Sequence, residues 1–143
     1  MKISDLDIEQ HLGVGNFSEV KLVTLKPEVT KKYSLKTSRF ALQFFSKQLV
    51  VEEWGDFLHC LFHAKEAWKE LESQFIVKLL ADFEDNNFFY YVLELHDKVD
   101  LSNILSDVKR LPENDSKFCA ACIVCAFEHI HSKRIAVRDV KVS

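Results

Sequence analysis

Two glycines one residue apart, a lysine on a strand-like stretch and a charged cluster near the end are the residues that could do chemistry. The first group is Leu12-Gly13-Val14-Gly15-Asn16-Phe17-Ser18-Glu19-Val20. Glycines spaced this way let backbone N–H groups approach phosphate oxygens with no Cβ in between. The chain has only 3 glycines in 143 residues, where average usage would predict roughly ten, so the pairing of Gly13 with Gly15 marks a backbone need. A dinucleotide fingerprint would enter a helix here, but an alternating pattern follows, which argues against a Rossmann fold. A plain tight turn would use the same residues, so the loop alone leaves both readings open. Lys36 follows on a predicted strand, where an ammonium could lie beneath the turn; a lone strand lysine is equally a solvated edge residue. The third group is Val137-Arg138-Asp139-Val140-Lys141.

The elements that must position these groups can be read from periodicity. Leu6, Ile8, Gln10 and Leu12 alternate with polar partners, residues 13–18 turn, and 19–25 alternate again, with Val20 and Leu22 on one face. Lys26-Pro27-Glu28 reads as a turn, because proline fixes φ and lacks an N–H. Residues 32–37 read as a third strand with Ser34 and Lys36 on one side. Residues 39–72 read as helical: Phe40, Phe44, Leu49, Val51, Trp54, Phe57, Leu58 and Leu61 recur mostly three to five apart, with a break at Gly55. Ala64, Ala67, Trp68 and Leu71 continue the helical spacing. Strands return at 76–83 and 88–95 around the turn composition Glu84-Asp85-Asn86-Asn87. A short helix over 101–108 and a long one opened by Pro112 and running to about Ser132 come next. A short strand and a loop are expected over 133–143. The order of strands, helix, hairpin and helices is α+β.

Composition excludes several classes. With 19 basic and 22 acidic residues the net charge is −3, so no basic field invites nucleic acid. The start, MKISDLDIEQ, lacks the apolar core of a signal peptide. The longest apolar run, Phe118 to Phe127, is ten residues, half of the roughly 20 a membrane helix needs. A soluble, cytoplasmic or nuclear protein with reduced thiols is expected.

Taken together, the three groups resemble the protein kinase family. Gly13-Val14-Gly15-Asn16-Phe17-Ser18-Glu19-Val20 is similar to its glycine-rich loop, Ser34-Leu35-Lys36 to its Ala-x-Lys strand, Tyr91-Val92-Leu93-Glu94-Leu95 to its hinge strand and Val137-Arg138-Asp139-Val140-Lys141 to the start of its catalytic loop. Phe75-Ile76-Val77-Lys78-Leu79 and the stretch from Phe118 to Ser132 resemble the AGC group, and within it the cyclic-nucleotide-dependent Ser/Thr kinases. The resemblance implies an antiparallel N-lobe over 6–95 and a hinge with the first C-lobe helices over 96–143. It implies ATP with Mg²⁺ and phosphoryl transfer to protein Ser/Thr. Leu12, Gly13, Val14, Gly15, Asn16, Phe17, Ser18 and Val20 would cover the nucleotide, and Lys36, on the strand with Ser34, would hold the α- and β-phosphates. Leu93 would be the gatekeeper, the backbone of Glu94 and His96 would bond adenine, and Asp100 would lie near the ribose. Asp139 would accept the substrate proton and Lys141 would neutralise the transferred group.

Departures from the family pattern bear on activity. Ser18 replaces the third glycine, and Val137 stands where the family has His or, in AGC members, often Tyr. Counting back from Phe75-Ile76-Val77, the helix glutamate that should pair with the strand lysine falls on Ala64. Glu66 is the nearest carboxylate, but two residues along a helix rotate a side chain by about 200°. The metal-binding Asn would be position 144 and the Asp-Phe-Gly would follow it, so a fragment inactive alone is expected, with a pseudokinase or binding module as the alternative. Cys119, Cys122 and Cys125 have a spacing seen in iron–sulfur proteins, with Cys60 and His129 as further candidates. They read instead as small packing residues on a helix, and no protein-held metal is expected. The aromatics at 40–57 suggest a core or docking face, and self-association through apolar surface is expected.

Overall fold

The computed structural model describes residues 1–15, 18–34, 37–54, 57–96, 100–138 and 140. After a 3-10 turn over Ile3–Asp5 the chain forms β1 (Leu6–Val14), β2 (Ser18–Leu25), α1 (Pro27–Lys32), β3 (Arg39–Ser46), α2 (Lys47–Trp54) and α3 (Phe57–Lys69). It continues through β4 (Leu79–Glu84), β5 (Phe88–Leu93), α4 (Leu101–Val108) and α5 (Glu113–Ser132). The five strands make one sheet in the order β1-β2-β3-β5-β4, every neighbouring pair antiparallel.

Each face of the central strands builds a separate core. Val23 and Leu25 of β2, Phe40 and Leu42 of β3, and Tyr90 and Val92 of β5 are buried together with Leu6 on one face. Phe83 stacks on Tyr90 with ring centroids 4.8 Å apart, which adds aromatic contact to simple burial. The opposite face carries Tyr91, Leu93 and Phe89 against Leu61 and Trp68 of α3. A fully buried Leu or Val contributes roughly 1.5–3 kcal/mol, so these two layers are the main source of stability. Helix α3 is further fastened to β4 by Lys65 and Lys69, each 2.9 Å from an Asp82 oxygen, and to the segment before β4 by Trp68 Nε1, which donates to the Val77 carbonyl at 2.7 Å.

The sequence expectation of a third strand over 32–37 is corrected here. Residues 27–32 are helical, with Pro27 in the first turn where its missing N–H costs nothing, and Tyr33–Ser34 turn, Ser34 at φ 52°. The third strand is 39–46, a stretch expected to be helical. Its apolar residues fill both faces, so the spacing of four between Phe40 and Phe44 matched a helix while the period of two was equally present. Residues 47–54 and 57–69 are helical as expected, and Gly55 lies outside the described residues. β4 starts at Leu79 rather than Ile76 and β5 ends at Leu93 rather than Leu95. Lys26-Pro27-Glu28 starts a helix instead of making a turn, and residues 133–138 form no strand.

Candidate functional site

The register of the sheet aligns the candidate residues in rows. Leu22 lies beside Ala41, and Ala41 beside Leu93; one step along, Val20 lies beside Gln43, and Gln43 beside Tyr91. Paired residues of antiparallel strands share a face, so both rows lie on the α3 side. Ala41, Leu93 and Leu12 line a cleft of about 470 Å³ at the end of the sheet, closed by Glu94, His96 and Asp100. That size falls in the range of roughly 300–1,000 Å³ usual for small-molecule sites. Leu12, Ala41 and Leu93 give it apolar strand walls, Gln10 and His11 of β1 add polar groups, and the segment that leaves β5 is polar.

This polar edge is well fixed. Glu94 N donates to the Lys78 carbonyl at 3.1 Å, and Lys78 N donates to Glu94 Oε1 at 2.7 Å. His96 Nε2 lies 3.1 Å from the same Oε1. Desolvation works against the Glu94 anion, but its bonds from His96 and Lys78 outweigh it and hold the carboxyl below the usual glutamate range. Asp100 caps α4: its Oδ1 accepts from Asn103 N and Ser102 Oγ, both at 2.7 Å. The bond from the Asn103 backbone, then that from Ser102, holds the Asp100 carboxyl low.

Gly13 and Gly15 sit where β1 turns towards β2. A Cβ on Gly13 would meet nothing within 4 Å, whereas one on Gly15 would lie 3.1 Å from Ser18 Oγ. Neither has positive φ, so left-handed backbone requires neither glycine, and only Gly15 is crowded by a neighbour. Gly15 N donates to the Ser18 carbonyl at 2.7 Å, and Ser18 Oγ accepts from Gln43 Nε2 at 3.1 Å. Val14 is exposed; Asn16 and Phe17 lie outside the described residues.

Below Gln43 opens a larger cavity of about 1100 Å³, whose lining includes Ala64 and His63 of α3 and Val137 and Arg138 of the segment after α5. The structure therefore brings together the turn, the middle of β3, one face of α3 and the Val137-Arg138 segment. Glu66 faces elsewhere: it pairs with Lys69 at 3.1 Å and with Lys65 at 3.6 Å. Asp139, Lys141 and Lys36 lie outside the described residues. Ser34 is in a turn, away from the strand expected to carry it.

The protein kinase domain family matches residues 6–143. The chain belongs to the protein kinase family. It is 36% identical over 137 residues to the cGMP-dependent protein kinase 2 of Homo sapiens, covering 96% of this chain and 17% of that protein. It is 33% identical over 141 residues to the cGMP-dependent protein kinase, isozyme 2 forms cD5/T2, of Drosophila melanogaster, covering 99% of this chain and 14% of that one. These relatives agree with the likeness to cyclic-nucleotide-dependent AGC kinases, and the chain spans less than a fifth of their length. The five-stranded sheet with its helices is the kinase N-lobe, followed by the start of the C-lobe.

Within a kinase N-lobe the third strand carries the lysine of Val-Ala-Ile-Lys. In this chain the third strand includes Phe40-Ala41-Leu42-Gln43, and Gln43 is a residue the sequence reading did not single out. The signal was available in the tripeptide Ala41-Leu42-Gln43, but a glutamine in place of lysine hid it. Ala64, the position given by the count back from Phe75, lies on α3. Gln43 and Ala64, both uncharged, line the same cavity. Among the described residues no three His, Cys, Asp or Glu side chains are grouped to hold a metal ion. No helix of the described residues is long and apolar enough to cross a membrane.

Proposed function

We propose that the cleft beside Ala41 and Leu93 binds the adenine moiety of ATP, within a Ser/Thr-kinase-type domain that faces a protein substrate or partner in the cytoplasm or nucleus. The observation that carries this reading is the cleft itself: an apolar slot between β1, β3 and the end of β5, edged by a main chain with Glu94 and His96. The Glu94 N–H is committed to Lys78, so of its main-chain groups the carbonyl is the one a ligand amine can use. Asp100, held ionised, suits a ribose hydroxyl. Gly13 leaves space above, and Val20 lies opposite Gly13 in register. In this reading Asp139 accepts the substrate hydroxyl proton and Lys141 neutralises the transferred group, in a domain whose N-lobe spans 6–95. Mg²⁺ would arrive with the nucleotide.

A second reading, a pseudokinase or binding module with weak or no nucleotide binding, is favoured by Gln43 and Ala64. Without the ammonium the α- and β-phosphates lose their fixed counter-charge, and transition-state charge is less well stabilised. Differential scanning fluorimetry with ATP and Mg²⁺ decides between them. Ligand at about 100 times its dissociation constant should stabilise the fold by about 2.7 kcal/mol. Replacing Ala41 by Phe fills the slot and should abolish the shift. No shift in the wild-type chain would remove the nucleotide reading and leave the binding module.

A further inference from the structure

Where the relatives' fold places a charged pair beneath the phosphates, this chain places Gln43 and Ala64, and the consequence falls on ligand choice. We propose that the cleft is a purine-nucleoside site: it takes adenosine about as well as ATP, and Mg²⁺ does not strengthen the binding. The inference rests on the adenine reading of the cleft and concerns what lies beyond the base.

Four observations carry it. First, the base and ribose end is complete: Leu12, Ala41 and Leu93 supply apolar walls, and Glu94 and Asp100 supply acceptors. Second, the next row of the same face, about 7 Å along β3 for two residues, holds Gln43 instead of a cation. The amide carries no charge, and its Nε2 already donates to Ser18 Oγ, so it acts as a strut between β3 and the glycine turn. Third, α3 offers Ala64 at the matching position, while its carboxylate Glu66 is bound to Lys65 and Lys69. An ammonium at position 43 would find no partner there. Fourth, among the described residues lining the cleft there is no Lys or Arg. Arg138 is the one such residue lining the deeper cavity, and it comes from the segment after α5, not from the sheet.

Electrostatics act in the same direction. Glu94 and Asp100 are both held below the usual carboxylate range, so both carboxylates are ionised at neutral pH beside the imidazoles of His11 and His96. Such an edge accepts from ribose hydroxyls or an exocyclic amine and repels a triphosphate. A cationic anchor on a phosphate is worth about ten- to a hundredfold in affinity, and no Lys or Arg among the described residues lining the cleft supplies it.

Isothermal titration of the full chain with adenosine, with ATP alone and with ATP plus Mg²⁺ tests this. The expected result is three dissociation constants within about threefold of one another. Replacing Gln43 by Lys together with Ala64 by Glu should then raise the preference for ATP over adenosine by about tenfold or more, with unchanged circular dichroism as the control for folding. ATP plus Mg²⁺ binding wild type more than about tenfold tighter than adenosine would overturn the inference and leave the adenine reading standing. Binding of none of the three would overturn the adenine reading, and the nucleoside inference with it.

Discussion

At the level of single residues, Asp85 shows how one carboxylate sets a turn. Its Oδ1 accepts from Asn87 N and Phe88 N, both at 2.8 Å, and its Oδ2 accepts from Tyr90 OH at 2.8 Å. The backbone bond from Asn87, followed by the bond from Tyr90, holds the Asp85 carboxyl below the usual aspartate range. Desolvation, with Asp85 next in importance, pushes the Tyr90 hydroxyl up to about 12, so it remains a donor at any ordinary pH. A lowered carboxyl pKa contributes stability that is complete above the unfolded-state value of about 3.9 and disappears as pH falls through the folded-state value. Replacing Asp85 by Asn keeps an acceptor oxygen but removes the charge. The melting temperature of Asp85→Asn should therefore lie below wild type at pH 7, and the gap should close as the pH drops below the aspartate range. A gap independent of pH would show that shape, not charge, holds the turn.

At the level of elements, β3 and α3 together decide what the site can do, and they differ in how openly the sequence declares them. The glycine turn, the strand at 88–93 and the long helix were legible, because composition and periodicity mark them. β3 was not: it is apolar on both faces because each face covers a core, so alternation, the usual mark of a strand, is absent. The preceding Pro27 opens a one-turn helix that sequence reading took for a turn, and the third strand was assigned too early. With it the likeness to Ala-x-Lys was placed on Ser34-Leu35-Lys36, and Ala41-Leu42-Gln43 of the third strand went unexamined. What keeps α3 against this strand is testable through Asp82. Its pKa balance begins with desolvation, which opposes the anion, but the hydrogen bonds from Lys69 and then Lys65 prevail and lower it. Asp82 and Lys65 are each largely shielded from water, with side-chain exposures of 24% and 15%, which limits screening relative to a surface pair. Replacing Asp82 by Ala should destabilise the fold by about 1–2 kcal/mol. The loss should be smaller in 1 M salt, where the Debye length is about 3 Å. Urea denaturation of both chains at low and high salt measures it, and a loss unchanged by salt would mean that packing, not charge, joins α3 to β4.

At the level of the whole molecule, stability is unevenly distributed, and the distribution follows the two cores. The fully buried side chains Leu22, Val23, Leu25, Leu42, Val50 and Val92 all belong to the sheet or to α2 beside it. By contrast α4 and α5 contain no buried residue, and Phe118 and Val124 of α5 are 72% and 64% exposed. Where α5 meets the N-lobe, one polar contact is made by His129, whose Nε2 accepts from Glu72 N at 3.2 Å. Helices with few buried apolar contacts open at low cost, while strands between two packed layers open only with the whole fold. Hydrogen exchange of the full chain should therefore show the amides of 40–45 and 89–93 protected by about a hundredfold more than those of 118–126. Replacing His129 by Ala should speed exchange in α5 while leaving the central strands unchanged. The exposed apolar side chains of α5 should also bring copies of the chain together, so light scattering should show mass rising with concentration. Phe118→Ser should reduce that rise. Equal protection in α5 and β3 would mean that the C-lobe helices and the sheet unfold as one unit, and that His129 and its neighbours couple the lobes more strongly than their burial implies.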